Sequence, residues 1–254
     1  MANIKGGKKI AVLGAGNVGA TCAYTFAVAG TCSDIVLIDI NKEKAKGEAM
    51  DIRQGVSFSH NVEVFDGTYA DAAGADIVVI TLGLARKPGQ TRIDLAQANV
   101  NIIKSAMPEI TKYAPNAVYI VVSNPVDILT YTIAKVSGLP ENKVIGTGTL
   151  LDSARLRSEL AARFKISPKN IHAYVFGEHG DTSFIPWSGA YISGMKVDEY
   201  WQLMKKFEKN LEIIDKDEML TYVQKSGGQI IANKGATFYA VSTAVCNLCN
   251  ILLA

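Results

Sequence analysis

Short apolar runs alternate with helical stretches over residues 8–148. The runs that predict buried strands are 10–13, 35–38, 62–65, 77–82, 118–122 and 144–145. Helical periodicity and helix-breaking residues predict helices between them, over about 18–29, 42–56, 94–113 and 125–137. Because regular alternation of strands and helices is typical of βαβ units, the pattern predicts a doubly wound parallel sheet that ends near residue 148.

The pattern changes after residue 148. A helix is expected over 150–164, short strands near 171–176 and 184–192, and further helices near 197–208 and 215–252. The chain is therefore predicted to hold two domains. Residues 1–148 form the α/β domain with the parallel sheet, and residues 149–254 form a mixed α+β domain that completes a substrate cleft.

Composition narrows the classes of function. Hydrophobic residues make up 48% of the 254 residues, enough for a large core, and the net charge is only +2 without a run of Lys and Arg. Nucleic acid is therefore not an expected partner. No signal-like segment or long apolar stretch is present. Of the four cysteines only Cys246 and Cys249 have C-x-x-C spacing, and a zinc site would need a second pair with such spacing. We expect reduced cysteines, no metal, no membrane partner and a cytoplasmic location.

A glycine-rich turn follows the first predicted strand and opens the first predicted helix. Gly14 would permit the tight turn, Gly16 would let a pyrophosphate approach the backbone, and Gly19 would let the helix pack closely. The helix N-terminus offers free N–H groups to phosphates. Asp39 ends the second strand, where a carboxylate accepts hydrogen bonds from a ribose and repels a 2′-phosphate. The sequence therefore predicts a dinucleotide site that favours NAD over NADP, rather than a glycine turn serving packing alone.

Two segments lie at the carboxyl edge of the predicted sheet, where ligands of such folds bind. One is a basic loop from Arg86 to Arg92, whose cations would attract an anionic substrate. The other contains Asn124, which can reach a nicotinamide or a substrate oxygen. By charge alone the loop could be an ordinary solvated segment, but its position beside the cofactor strand favours a role in binding.

Three further residues suggest acid–base chemistry. Asp152 and Arg155 are three positions apart on a predicted helix and so share one face. His179 lies in a Gly-Glu-His-Gly-Asp turn at the end of an apolar strand, and the chain has only three histidines. The Asp–Arg pair could instead be a surface ion pair, and an isolated histidine is more often structural. The tight acidic turn at a strand end favours a functional histidine.

Together these motifs resemble the L-lactate dehydrogenase branch of the lactate/malate dehydrogenase family. The resemblance covers essentially the whole chain, in the bacterial form, and rests on six ordered motifs: Gly-Ala-Gly-Asn-Val-Gly, the 86–92 loop, Ser-Asn-Pro-Val-Asp, Leu-Asp-Ser-Ala-Arg, Gly-Glu-His-Gly-Asp and Lys-Gly-Ala-Thr. It implies that His179 donates and accepts the proton, that Asp152 orients it, and that Arg155 clamps the substrate carboxylate. It further implies that Arg92 polarises the reacting carbonyl and that Thr237 lines the substrate pocket.

The same resemblance implies the remaining contacts and the assembly. The residues around NAD would be Gly14, Gly16, Asn17, Val18, Gly19, Asp39, Lys44, Tyr69, Gly83 and Thr147. Arg157 and His172 match the two positions at which bacterial lactate dehydrogenases bind the allosteric regulator fructose 1,6-bisphosphate. The expected protein is a glycolytic homo-oligomer, a dimer or tetramer, that interconverts pyruvate and L-lactate.

Two departures keep alternatives open. Arg86 stands where lactate dehydrogenases usually have Gln and malate dehydrogenases have an Arg that pairs with a second carboxylate. Glu178, Thr237 and Trp187 resemble the lactate branch, so lactate is preferred, with malate or a longer 2-hydroxy acid such as 2-hydroxyisocaproate as the alternatives. Family members also continue beyond the position of Ala254, which leaves open an inactive NAD-binding or structural fragment with a truncated second domain.

Overall fold

The computed structural model describes residues 7–84 and 92–254, the side chain of Arg92 excepted. Six parallel strands form the main sheet, in the order β3-β2-β1-β4-β5-β6. They are β1 (Lys9–Leu13), β2 (Asp34–Ile38), β3 (Glu63–Gly67), β4 (Ile77–Ile80), β5 (Val118–Val121) and β6 (Val144–Gly146). The strand order reverses direction between β1 and β4, which is the position where doubly wound sheets bind their ligands.

Helices cover both faces of this sheet because alternate strand residues point to opposite sides. One core contains Ile10 and Val12 of β1 with residues of α1 (Asn17–Ala29), α2 (Lys42–Val56) and α8 (Tyr239–Leu253). The other contains Ala11 and Leu13 with residues of α3 (Arg92–Tyr113) and α4 (Val126–Val136). The central strands are apolar on both faces, as the continuous hydrophobic runs predict.

A second, smaller unit spans Gly148–Thr237. It contains α5 (Leu150–Phe164), α6 (Val197–Phe207), α7 (Lys216–Lys234) and an antiparallel sheet of β7 (Ile171–His172), β8 (Tyr191–Ile192) and β9 (Met195–Lys196). A separate bridge pairs Phe176 with Phe184. These elements enclose their own core, which includes Leu156, Ile192 and Val223.

The C-terminal helix differs from the sequence prediction. A single helix was expected over about 215–252, but Gly235, with φ +86°, follows α7 as its C-cap and α8 starts only at Tyr239. Glycine tolerates this positive φ and commonly ends helices in this way. Helix α8 packs on α1 through Val245, Cys246 and Cys249, so Phe238–Ala254 group with residues 1–147 instead of with the second unit.

No helix in residues 7–84 or 92–254 combines the length and the apolar character that a membrane crossing requires.

Candidate active site

The glycine turn after β1 needs glycine at two positions. Gly14 has φ +101°, and its N–H donates to the carbonyl of Ile38 at 2.7 Å. A Cβ on Gly14 would lie 2.9 Å from the carbonyl oxygen of Thr81, and a Cβ on Gly19 would collide with the carbonyl oxygen of Gly14. The turn and the first helical turn therefore pack against each other as the motif predicts.

Gly16 is different, because the space beside it is open. A Cβ there would meet no atom within 4 Å, and Gly16 is the N-cap of α1 without a side-chain cap. The first N–H groups of α1 therefore lack the usual side-chain acceptor at the N-cap, and Asn17 beside them is exposed. This arrangement fits the pyrophosphate of a dinucleotide.

Asp39 follows β2 and is held by two backbone donors. Its Oδ2 accepts the N–H of Ala15 at 2.6 Å, and its Oδ1 accepts the N–H of Asn41 at 2.8 Å. A carboxylate oxygen has more than one acceptor direction, so both oxygens can also accept hydrogen bonds from ribose hydroxyls.

Two further residues of the predicted cofactor site lie in this unit. Burial, followed by the charges of Glu109 and Asp39, raises the pKa of the Tyr69 hydroxyl, which therefore stays protonated. Lys44 is exposed in the first turn of α2.

Most of the other predicted residues of the first unit follow strand ends, whereas Val18 is half-buried in α1. Thr147 follows β6, and its N–H and Oγ1 both donate to the carbonyl of Val121. Gly83 follows β4 with φ +148°. Asn124 is exposed after β5 and is joined to Pro125 by a cis peptide bond.

Sequence reasoning missed Asn99, a buried polar residue of α3 that contacts two of these strand ends. No motif singled it out.

Arg86, a predicted substrate contact, lies outside the described residues, as does the side chain of Arg92, whose backbone begins α3.

The second unit brings three of the predicted residues together around one carboxylate. Asp152 Oδ2 lies 2.6 Å from Nδ1 of His179, and its Oδ1 accepts Nη1 of Arg155 at 2.9 Å. The Asp152 side chain is 5% exposed and that of Arg155 is 13% exposed. The contact between Asp152 and Arg155 follows from their spacing of three residues on α5.

Polar contacts from α5 also fix the strand that leads to the histidine turn. Ser153, buried next to Asp152, accepts the N–H of Val175 at 2.9 Å, and Thr149 donates to the carbonyl of Val175 at 2.6 Å. Neither residue was predicted, although a serine at a buried helix position is a signal for such a contact. Because the same helix carries Asp152, these bonds set the distance between Asp152 and His179.

Backbone and side-chain hydrogen bonds hold the turn that carries the histidine. Phe176 and Phe184 exchange two backbone hydrogen bonds, of 2.9 and 3.0 Å. Ser183 donates to the carbonyl of Gly180 at 2.9 Å, and Gln224 of α7 donates to the carbonyl of Asp181 at 3.2 Å. His179 is thereby held on a short ordered turn, with 28% of its side chain exposed.

The arrangement has a definite chemical capacity. An imidazole whose Nδ1–H donates to a carboxylate exchanges its catalytic proton at Nε2, and the carboxylate stabilises the protonated ring. Arg155 donates one hydrogen bond to Asp152, and a guanidinium has five N–H donors in a planar arrangement. It can therefore hold a carboxylate of a substrate while remaining paired with Asp152.

A glycine on α7 makes room for this arginine. A Cβ on Gly227 would lie 3.2 Å from Nη2 of Arg155, whereas a Cβ on Gly228 would meet nothing within 4 Å. Sequence reasoning gave Gly227 no role, because glycine in the interior of a helix carries no chemical signal by itself.

The remaining predicted residues lie elsewhere in the second unit. Arg157 donates to the carbonyl of Ser153, and its guanidinium lies 5.9 Å from the ring centre of Tyr174. His172 on β7 and Tyr174 are exposed, and Ile171, Ala173 and Val175, which alternate with them, are buried. Thr237 is half-buried in the break between α7 and α8.

Comparison with known proteins gives the family. Residues 8–146 match the model of the lactate/malate dehydrogenase NAD binding domain, and residues 149–254 match that of the alpha/beta C-terminal domain. L-lactate dehydrogenases of Acetivibrio thermocellus and Clostridium botulinum strain Langeland are 49% and 46% identical, each over 96% of this chain. The chain spans 76% of the length of each of these relatives.

Solved structures give the same result. MGS-M5, a lactate dehydrogenase from a deep-sea metagenome library, has a TM-score of 0.88 and 38% identity over 96% of this chain and 76% of its own. The malate dehydrogenase of Picrophilus torridus has a TM-score of 0.87 and 35% identity over 97% and 76%. NAD is the cofactor that this first domain binds, and the chain belongs to the lactate/malate dehydrogenase family.

Proposed function

We propose that the protein is an L-lactate dehydrogenase that interconverts pyruvate and L-lactate, with His179 as the acid and base. The observation that carries this proposal is that His179 and Arg155 both contact the buried carboxylate of Asp152. The cluster combines a proton donor with a guanidinium that can bind the carboxylate of a 2-oxo acid. The curated relatives named above are L-lactate dehydrogenases, which supports pyruvate as the substrate.

The chemistry follows from these side chains. Bound NADH supplies hydride to the carbonyl carbon of the 2-oxo acid. Arg155 holds the substrate carboxylate in a bidentate pair, which fixes the carbonyl in one orientation. His179 gives its Nε2 proton to the carbonyl oxygen, so that one hydride and one proton convert the ketone to the alcohol. Asp152 stabilises the protonated imidazole before this transfer, and in lactate oxidation His179 takes the proton back.

Roles for the other residues complete the proposal. Arg92 polarises the carbonyl, Asn124 contacts the substrate or the nicotinamide, and Thr237 lines the substrate pocket. The dinucleotide is held by the glycine turn with Asn17 and Val18, by Asp39 and Lys44, and by Tyr69, Gly83 and Thr147. Arg86 determines whether a second carboxylate is preferred, and it is the residue that favours the malate alternative.

Steady-state oxidation of NADH with pyruvate, oxaloacetate and 4-methyl-2-oxopentanoate, measured side by side, tests the proposed substrate. The highest kcat/KM is expected for pyruvate. Faster turnover of oxaloacetate would make the protein a malate dehydrogenase, and faster turnover of 4-methyl-2-oxopentanoate would favour the hydroxyisocaproate alternative. Binding of NADH without turnover of any of the three would refute the enzymatic proposal.

Regulation by fructose 1,6-bisphosphate is proposed for Arg157 and His172 in a homotetramer. Facing cationic sites at a subunit interface would repel one another, and a bisphosphate would relieve this repulsion. The pyruvate KM and the sedimentation profile, with and without the bisphosphate, test this. An unchanged KM and profile would refute it.

A cytoplasmic location is also proposed, on the chemistry of the thiols. All four cysteines are free and buried. Burial raises the pKa of Cys22 to about 11 and that of Cys32 to about 12, so these thiols stay protonated and unreactive. Fractionation of the native cells tests this location, which recovery of the enzyme outside the cytoplasm would contradict.

A further inference from the structure

Asn99 contacts two backbone segments, residues 83–84 and Asn124, with one side-chain amide. Its Oδ1 accepts the N–H of Leu84 at 2.8 Å, and its Nδ2 donates to the carbonyl of Asn124 at 2.8 Å. A Cβ on Gly83 would lie 3.2 Å from the same Oδ1, so the amide packs against the backbone of Gly83. Asn99 is 2% exposed.

These contacts join the ends of two neighbouring strands. Leu84 follows β4, and Asn124 follows β5, so the amide of Asn99 connects the two chain segments where they leave the sheet. In parallel sheets that carboxyl edge is where ligands bind. Asn99 itself reaches this edge from α3, at 2% exposure, and both hydrogen bonds are to protein backbone.

Asparagine makes both hydrogen bonds whatever the pH, which a carboxylate of the same size does not. Its amide presents an acceptor and a donor from the same carbon, whereas Asp of the same size presents acceptors alone when ionised. A carboxylate at this position would face the carbonyl of Asn124 without a proton to donate. Leaving a buried polar group without its partner lowers stability by more free energy than the hydrogen bond itself contributed.

We propose that Asn99 is a positioning residue of the dehydrogenase, which acts through Asn124 and Gly83. It sets the distance between the end of β4 and the turn that carries Asn124, and thereby the position of the Asn124 side chain for substrate. This inference rests on the proposed function, in which Asn124 contacts the substrate or the nicotinamide. Asn99 is not a catalytic residue, because in this proposal it touches only the protein backbone.

Two substitutions separate the two hydrogen bonds. Asn99→Ala removes both, and kcat/KM for pyruvate is expected to fall by about tenfold or more. Asn99→Asp keeps the acceptor for Leu84 and loses the donor to Asn124. Burial raises the pKa of that new carboxyl, so it becomes protonated at mildly acidic pH and can then donate to the Asn124 carbonyl. The activity of Asn99→Asp, divided by that of the parent, should rise at least about fivefold from pH ~8 to pH ~5.5.

Matched controls isolate this effect. Asn101 lies on the same helix, is exposed, and accepts Nε2 of Gln97 through its Oδ1 at 3.0 Å. Asn101→Asp adds the same charge to α3 and keeps that acceptor, so its activity relative to the parent should be independent of pH. The relative activity of Asn99→Ala should also be independent of pH, because it introduces no titrating group.

A double-mutant cycle tests whether Asn99 acts through Asn124. If it does, Asn99→Ala should cost at least about threefold less activity in an Asn124→Ala background than in the parent. Amide hydrogen exchange supplies a readout without turnover, since the Leu84 N–H should exchange faster in Asn99→Ala and at the parental rate in Asn99→Asp.

The outcomes are distinct. A pH-independent activity ratio for Asn99→Asp, or equal losses in the two backgrounds of the cycle, would overturn the positioning role. Failure of both variants to fold at every pH would make Asn99 a structural residue only, which also overturns it. A parent enzyme without activity towards any 2-oxo acid would refute the proposed function itself, and this inference with it.

Discussion

Asp152 Oδ2 lies 2.6 Å from Nδ1 of His179, and this short contact joins a buried helix residue to a histidine on a partly exposed turn. The other carboxylate oxygen of Asp152 is paired with Arg155. The group that orients the proposed acid is therefore also the group that orients the proposed substrate clamp. Removing its charge should affect both, and the two effects can be measured separately.

Asp152→Asn tests the electrostatic part of this arrangement. The amide cannot stabilise the protonated imidazole by charge, so the apparent pKa in the pH dependence of kcat/KM for pyruvate should fall. Pyruvate reduction needs the protonated form, so the activity of the variant should be lost at a lower pH than that of the parent. Glu159→Gln, which removes a carboxylate from the same helix where it pairs with Arg163, is the control. An unshifted profile in Asp152→Asn would contradict the proposed role.

Gly227→Ala tests whether the position of Arg155 controls substrate binding. The added Cβ would lie 3.2 Å from Nη2 and would displace the guanidinium by a few tenths of an ångström. We expect kcat/KM for pyruvate to fall about tenfold, because a displaced guanidinium would hold the substrate out of line for the reaction. The affinity for NADH should be unchanged.

Gly228→Ala is the matched control, because it makes the same change one residue further along α7, in open space. It should leave the kinetics unchanged and raise stability by up to about 1 kcal/mol, since alanine is the better helix former. Equal pyruvate kinetics in Gly227→Ala and Gly228→Ala would show that Arg155 tolerates the displacement.

Asp39→Ser tests the choice of dinucleotide. The parent should prefer NADH to NADPH because a 2′-phosphate would lie beside the carboxylate of Asp39, and the variant should narrow this preference. Some loss with NADH is also expected, because the charge-assisted bond from Ala15 is worth about 1.5–3 kcal/mol. Asp34→Asn removes an equal charge from the other end of β2 and should leave the ratio of kcat/KM values unchanged. A parent enzyme that used both cofactors equally would refute the assignment.

Much of this architecture could be predicted from the sequence. The helices over 42–56 and 150–164 coincide with the expected ranges, since periodicity and end signals agreed at both ends. The strands near 171–176 and 184–192 were harder to predict, because the structure forms only short pieces there: β7, the Phe176–Phe184 bridge and β8. Few residues in those pieces pair, so a periodic pattern overestimates the strands.

The site shows a similar division. The glycine turn and the Asp152–Arg155 pair follow from local spacing, which a sequence records directly. Asn99 and Ser153 act through contacts with residues far away in the chain, at 15 and 22 positions from Leu84 and Val175. Their roles depend on packing that no local pattern contains. The packing of α8 on α1 was missed for the same reason.

Arg86→Gln tests the residue at which motif chemistry and overall resemblance disagree. If the guanidinium of Arg86 receives a second carboxylate in the closed site, its loss should raise the pyruvate/oxaloacetate ratio of kcat/KM at least tenfold, about 1.4 kcal/mol. If the side chain faces solvent, the ratio should barely change and the parent should already prefer pyruvate. We expect the second result, because Glu178, Thr237 and Trp187 resemble the lactate branch. A large change in the ratio would instead support a malate-type substrate site.

The most direct test of the central claim, that His179 transfers the proton in NADH-dependent pyruvate reduction, is the kinetics of His179→Ala together with its NADH affinity. The imidazole acts on the substrate, so kcat should fall by about 10²-fold or more while the dissociation constant for NADH stays within about twofold of the parent value. Pyruvate reduction within tenfold of the parent rate would contradict the mechanism.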